Sequence, residues 1–265
     1  MKNILITGST DGIGKLTAIK LAKDGHTVFL HGRNSKKLSE VINEIKSTSN
    51  NENIKGFVAD FSDLDAVKKM AQEVKNEIPS LDVLINNAGV FKSSVAANKD
   101  GIDLRLVVNY LAPYLLTREL ISLLDQAKAP RLINLSSAAQ APVTYEALVK
   151  KSNLSEQASY AQSKLALTMW SFYLAEKLPN INTIAVNPGS LLNTNMVKEA
   201  YGKFWSSADK GANILYDLAV DEKYKNDSGK YFDNDRGSFG EAHADAYEET
   251  AINQLIKTTD GFLEK

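Results

Sequence analysis

The chain has 265 residues, 43% of them hydrophobic and 24% charged. That places it with globular proteins able to bury a sizeable core and excludes a disordered or collagen-like polymer. Its 31 Lys and Arg against 32 Asp and Glu leave a net charge of -1, so no global field draws it to nucleic acid or to an anionic membrane. The lack of any cysteine removes disulfides, thiolate metal sites and cysteine nucleophiles together.

At the amino terminus Lys2 precedes an apolar run that ends at Thr7-Gly8, too short for the core of a signal peptide. No apolar stretch approaches the ~20 residues of a membrane span, and a cytoplasmic location is the expectation. Short, nearly continuous apolar runs then recur at 3–7, 27–31, 54–59, 82–86, 131–135 and 181–186, as expected of strands buried on both faces of a parallel sheet. Between them lie segments with helical spacing, such as Ile13, Leu16 and Ile19, or Leu38, Val41, Ile42 and Ile45. The third opens with Ser62-x-x-Asp65, an N-terminal capping pattern. Strand and helix in alternation predict βαβ units and a doubly wound α/β sheet of about seven strands. No linker or internal repeat divides the chain, so 1–265 reads as a single domain. Residues 140–156 lack periodicity and read as a long loop near a site. The stretch 229–232 reads as a last strand and 241–257 as a helix, in an acidic tail where residues 221–265 hold 11 acidic and 6 basic side chains.

The chemistry begins directly after the first strand, at Thr7-Gly8-Ser9-Thr10-Asp11-Gly12-Ile13-Gly14. Glycines permit a tight turn and close backbone approach to a pyrophosphate, whose charge the following helix N-terminus stabilises. Such a loop in the first βα turn of a doubly wound sheet is a dinucleotide-binding signal. Its G-x3-G-x-G spacing resembles the short-chain dehydrogenase/reductase family, and further segments match in the family's order: Asn86-Asn87-Ala88-Gly89, Asn109, Ser136-Ser137, Tyr160-Ala161-Gln162-Ser163-Lys164 and Pro188-Gly189. The resemblance runs from Lys2 to about Met196.

It implies a single Rossmann-type NAD(P)-binding domain, with Gly8 to Gly14, Asn87, Ala88, Gly89, Pro188, Gly189 and Thr194 lining the cofactor and Asp60 meeting its adenine. It also implies that Tyr160 is general acid or base, that Lys164 tunes it and binds the nicotinamide ribose, that Ser137 rather than Ser136 bonds the substrate oxygen, and that Asn109 helps hold a relay water. Tyr160 and Lys164, four apart on a helix, share a face, and an ammonium near a phenol of pKa ~10 favours the phenolate.

Two departures stand out. Twenty-two residues separate Ser137 from Tyr160, which resembles the retinol-dehydrogenase-like branch more than the acyl-carrier-protein reductases. Thr194 falls one residue later than the family's pattern. The second strand ends in His31-Gly32-Arg33-Asn34 with no acid; an acid there selects NAD, and an arginine fork suits a 2′-phosphate. With Arg33 and Asn34 placed so, NADP(H) is expected over NAD(H), although Asp11 stands where many NADP-dependent members carry a base. Apolar Leu191, Leu192, Met196, Val197, Tyr201, Phe204 and Trp205 suggest a lid at about 190–206 over a hydrophobic ketone or aldehyde.

The expected activity is carbonyl/alcohol oxidoreduction on a small molecule, with no nucleic acid partner, no membrane span, and a dimer or tetramer built on the helices around Asn109 and Tyr160. A non-catalytic nucleotide-sensing regulator and a nucleotide-sugar epimerase or dehydratase are the alternatives. The regulator has no use for the proton donor, and the epimerases use another glycine spacing. His26, His31 and His243 show no ligand spacing, so no metal is expected.

Overall fold

The computed structural model describes residues 1–264. Its first half alternates β1 (Asn3–Ile6), α1 (Gly12–Lys23), β2 (Thr27–Gly32), α2 (Ser35–Ser49), β3 (Ile54–Val58), α3 (Leu64–Glu77) and β4 (Val83–Asn86). There follow α4 (Leu104–Leu106), α5 (Ala112–Leu124), β5 (Arg131–Leu135), α6 (Glu156–Lys177), β6 (Asn182–Asn187), α7 (Asn195–Tyr201), α8 (Ala208–Val220), β7 (Lys230–Asp233), β8 (Ser238–Gly240) and α9 (Glu249–Leu263).

The strands join in the order β3-β2-β1-β4-β5-β6-β7-β8. All neighbours pair parallel except β8, which turns back antiparallel on β7. The register sets Ile4, Leu5 and Ile6 beside Val83, Leu84 and Ile85. Because side chains alternate along a strand, Leu5, Leu84 and Leu132 meet α3, α5, α6 and α9 on one face. Ile4, Ile6, Ile85 and Ile133 meet α1, α2 and α8 on the other. Strand order reverses between β1 and β4, so the crevice beyond their carboxyl ends is where such a sheet takes a ligand.

Three details differ from the sequence reading. The α3 cap is Asp63, whose side chain accepts from the Asp65 amide, not Ser62; the Ser62 amide instead donates to the Asp60 carboxylate. The edge strand β8 makes the sheet eight-stranded. The last helix starts at Glu249 rather than Glu241, because a separate 3₁₀ turn, Ala244–Tyr247, capped by His243, precedes it. The 140–156 loop also contains a 3₁₀ turn, Tyr145–Leu148, with Ala147 and Leu148 buried.

Between α4 and α5 the helix widens into a single π-turn, Val107–Leu111, where the Ala112 amide reaches back to the Val107 carbonyl. Asn109 sits in this turn. Pro113, four residues on, has no N–H to give the Asn109 carbonyl its α-helical bond.

Candidate active site

Six strand ends deliver the predicted loop residues to the same edge of the sheet. Gly8 and Gly12 adopt φ of +64° and +54°, a region side chains resist. A Cβ on Gly8 would lie 2.7 Å from the Ala88 Cα, and one on Gly14 would lie 2.4 Å from Asn87 Nδ2 and 2.6 Å from the Gly8 carbonyl oxygen. Glycine is thus required for the loop after β1 to nest against the end of β4. Asn87 fastens that contact by donating from Nδ2 to the Thr7 and Gly8 carbonyls at 2.7 and 2.9 Å. Thr7 Oγ1 accepts from both the Asn87 and Ala88 amides at 3.0 Å.

Ser9 is fully buried, its hydroxyl donating to the Ile6 carbonyl and accepting from the His31 amide; its side chain is committed to the scaffold. Thr10 packs over Gly32, where a Cβ would come within 2.5 Å of its methyl group. Asp11 caps α1 through the Gly12 amide, and its Oδ2 accepts from Lys37 Nζ of α2 at 3.1 Å and from Asn195 Nδ2 of α7 at 2.7 Å. Burial raises the Asp11 carboxyl, but these hydrogen bonds outweigh it and hold the group below its ordinary value.

At the end of β2, Arg33 is exposed and makes no ion pair among the described residues. Asn34 caps α2 by accepting from the Lys37 amide. Asp60 is exposed beyond β3.

His31 carries a function that sequence reading missed. Its Nδ1 accepts from the Gly8 amide at 3.0 Å and its Nε2 lies 3.0 Å from the Ala59 carbonyl, so Nε2 must bear the proton. The ring stacks on Phe61 at 4.1 Å between centroids. Burial lowers its pKa to about 4, and the neutral ring braces the glycine loop against the end of β3.

The reactive cluster lies between β4, β5, the π-turn and α6. Ser136 turns inward, its hydroxyl 2.6 Å from Thr168 Oγ1, which leaves Ser137 toward the site. Gln140 Nε2 and the Tyr231 hydroxyl both donate to the Ser137 carbonyl, at 2.9 and 3.0 Å. Asn109 is buried, with Oδ1 accepting from the Val90 amide at 2.7 Å and Nδ2 donating to the Val90 carbonyl and Ser163 Oγ, both at 3.0 Å. Lys164 Nζ donates to the Leu135 carbonyl at 2.7 Å and stands 5.6 Å from the Tyr160 ring centroid. Burial lowers Lys164 to about 8. Tyr160 does not follow the expected downward shift: burial pushes its phenol up to about 12, an effect the Ser137 hydroxyl only partly offsets.

A Cβ on Gly89 would meet Asn109 Oδ1 at 3.3 Å and Lys164 Nζ at 3.8 Å, so the glycine keeps the floor beside the ammonium open. An aromatic wall faces Tyr160, with Phe91 edge-on at 4.9 Å and Tyr201 of α7 tilted against Phe91 at 5.7 Å. The apolar run at 191–205 suggested Tyr201, while Phe91 has no periodicity that would have marked it.

After β6, Gly189 has φ +117° and Leu191 φ +46°, the latter a strained conformation for a bulky side chain. Asp235 holds this turn by accepting from the Ser190 amide at 2.8 Å and from Asn187 Nδ2 at 2.9 Å, and Asn234 Nδ2 donates to the Pro188 carbonyl. Thr194 caps α7 by accepting from the Val197 amide. Its methyl lies 3.6 Å from where a Gly12 Cβ would stand, so the start of α7 reaches the glycine loop. The cradle of obligatory glycines at a helix N-terminus, opening toward a buried ammonium, fits a dinucleotide cofactor.

An open parallel sheet with this cradle and a Ser-Tyr-Lys cluster beside it defines an oxidoreductase of the Rossmann type. The chain belongs to the short chain dehydrogenase family, whose model matches residues 2–203, and within it to the retinol-dehydrogenase-like branch. Retinol dehydrogenase 13 of Mus musculus is 32% identical over 253 residues, covering 88% of this chain and 75% of that protein. A Streptomyces sp. (strain C5) protein assigned as daunorubicin C-13 ketoreductase is 32% identical over 244 residues, covering 89% and 84%. Among solved structures, a protein assigned as a short chain dehydrogenase of Shigella flexneri 2a, complexed with NADP, is 26% identical with a TM-score of 0.71, covering 88% of this chain and 96% of that one. Among the described residues no helix is long and apolar enough to cross a membrane, and no three His, Asp or Glu side chains gather as metal ligands.

Proposed function

We propose that the chain interconverts an apolar ketone or aldehyde and its alcohol with NADP(H). The observation that carries this reading is the convergence of Ser137, Tyr160 and Lys164 beside the glycine cradle, with Ser136 turned away. Gly8, Thr10, Gly12, Ile13 and Gly14 would receive the pyrophosphate at the start of α1, Asp60 the adenine, Asn87 to Gly89 and Lys164 the ribose, and Pro188, Gly189 and Thr194 the nicotinamide side. When bound, the nicotinamide supplies or accepts the hydride.

In reduction the substrate's carbonyl oxygen would take the Tyr160 proton, with Ser137 donating a hydrogen bond to that oxygen. Lys164 favours the phenolate left behind, and Asn109 helps keep a water in reach of the lysine for reprotonation. In oxidation the proton runs the other way. Burial holds the phenol protonated, the form that reduction consumes.

Three observations support NADP: β2 ends without an acid, Arg33 projects there unpaired among the described residues, and a structural relative is complexed with NADP. Lys37, at the start of α2, is already bonded to Asp11. Phe91, Tyr201 and Met196 around Tyr160 and Gly89 support an apolar substrate.

The test is a panel of ketones and aldehydes with NADPH and NADH, run on wild type, Tyr160→Phe and Arg33→Ala. Tyr160→Phe should lose roughly 10²- to 10⁴-fold in turnover with cofactor affinity kept, and activity close to wild type would reject the assignment. Arg33→Ala should erode the NADPH preference by about 10- to 100-fold. A wild-type preference for NADH would reject the cofactor reading.

A further inference from the structure

Arg105 is among the largest fully buried side chains, and nothing in the reaction outlined above uses it. A buried guanidinium is costly unless its donors are paired, and here they are paired to three separate segments. Nε donates to the Phe91 carbonyl at 2.7 Å. Nη1 donates to both carboxylate oxygens of Asp103, the α4 cap, at 3.2 Å. Nη2 donates to Glu156 in the first turn of α6. Only arginine presents donors in a planar fork with this reach; lysine has one centre.

What the three segments share is their destination. Phe91 and Tyr160 meet edge-on at 4.9 Å; Arg105 holds the backbone under the first ring and, through Glu156 one helical turn earlier, the helix that carries the second. Asn109, four residues after Arg105 and so on the same side of the helix, pins the adjacent Val90 through both its amide and its carbonyl. Two successive residues of the wall are therefore fixed by side chains of one helical stretch.

We propose that Arg105 is a positioning residue for the carbonyl chemistry, clamping the Phe91 wall and the start of α6 to α4 so that the Tyr160 hydroxyl meets the substrate oxygen in one geometry. This rests on the function proposed above for Tyr160. The clamp acts on placement, and misplacement of reacting groups by about an ångström costs on the order of 10²-fold in rate.

Two measurements test it on Arg105→Met, which retains most of the side-chain length, with Glu156→Gln as a milder variant that loosens only the α6 arm. Arg118→Met, an arginine paired to Asp260 at 3.6 Å on the α5 surface, is the control. Amide hydrogen exchange should quicken in residues 90–97 and 155–160 of Arg105→Met and stay unchanged in the glycine loop. With NADPH and the best carbonyl of the panel, kcat should fall about 10- to 100-fold while the NADPH Kd stays within about threefold, and Glu156→Gln should move both readouts less, in the same direction.

Unchanged exchange in both segments overturns the clamp, whether or not any carbonyl is turned over. Faster exchange with unchanged kcat overturns its role in the reaction, and so does an equal effect of Arg118→Met. If wild type turns over no carbonyl, the reading of Tyr160 fails separately, and the exchange data still decide whether Arg105 joins the two segments.

Discussion

Two buried titratable side chains show how single residues set conditions for the site. His31 is neutral in the fold because burial takes its pKa from 6.5 to about 4. Between those values the unfolded chain binds more protons than the folded one, so stability is full above pH 6.5 and declines as pH falls toward 4. His31→Phe keeps a ring against Phe61 but leaves the Gly8 amide without its acceptor, at a cost of about 1–3 kcal/mol. We expect weaker NADPH binding by fluorescence titration and a flatter dependence of melting temperature on pH between 4 and 6.5; a variant unchanged in both would remove His31 from the cofactor loop's support.

Lys164 has the opposite standing. Burial lowers its pKa from 10.5 to about 8, so the ammonium costs the fold on the order of 3 kcal/mol. That cost is full below pH 8 and fades as pH rises toward 10.5. Lys164→Met should lose turnover yet melt no lower than wild type at pH 7, with any advantage shrinking above pH 8. A marked loss of stability at pH 7 would show that the ammonium supports the fold.

At the scale of elements, the parallel strands were legible because both faces are buried, which makes each one a continuous apolar run; every end of the first six strands lies within a residue of its run, and β5 coincides. The failures have local causes. Ser62 looked like a cap, but its amide is drawn to Asp60 and the carboxylate of Asp63 takes the capping bond. Strand β8 is three residues long, at the sheet edge, and partly exposed, so it carries no hydrophobic pattern. The residues of the candidate site were named from motifs that resemble the family's, whereas His31, Phe91 and Arg105 act through contacts made across 14 to 51 positions, which no local pattern records. The glycine loop offers a sharp element-level test. Gly14→Ala puts a methyl into both Asn87 and the Gly8 carbonyl, so overpacking should destabilise the chain by about 1–3 kcal/mol and weaken NADPH binding further. Wild-type melting and affinity would mean that the loop and β4 are not in rigid contact.

Across the whole molecule, α9 closes one face of the sandwich. Tyr110 and Tyr114 of the π-turn and α5 bond Thr259 and Asp260 at 2.8 and 2.6 Å, Tyr145 reaches the Ala251 carbonyl, and Leu255, Ile256 and Leu263 join the core on that side. A dimer or tetramer through the helices around Asn109 and Tyr160 has to form beside α9, which this chain bonds to Tyr110 and Tyr114. We therefore expect sedimentation to show the same species for wild type and Tyr114→Phe, with no cross-link formed through α5 or α6. An assembly that cross-links through α5 would contradict this.

The Asp11 carboxylate joins Lys37 of α2 to Asn195 of α7, the helices that the proposed function sets beside the coenzyme's adenosine half and over the substrate. The residue an engineer would first replace to retune coenzyme choice is therefore also a fastening of α7. On the function proposed above, a swap at Asp11 made to change that preference also alters how quickly substrate enters and product escapes. The two effects separate only in a background where Asn195→Ala has already released α7.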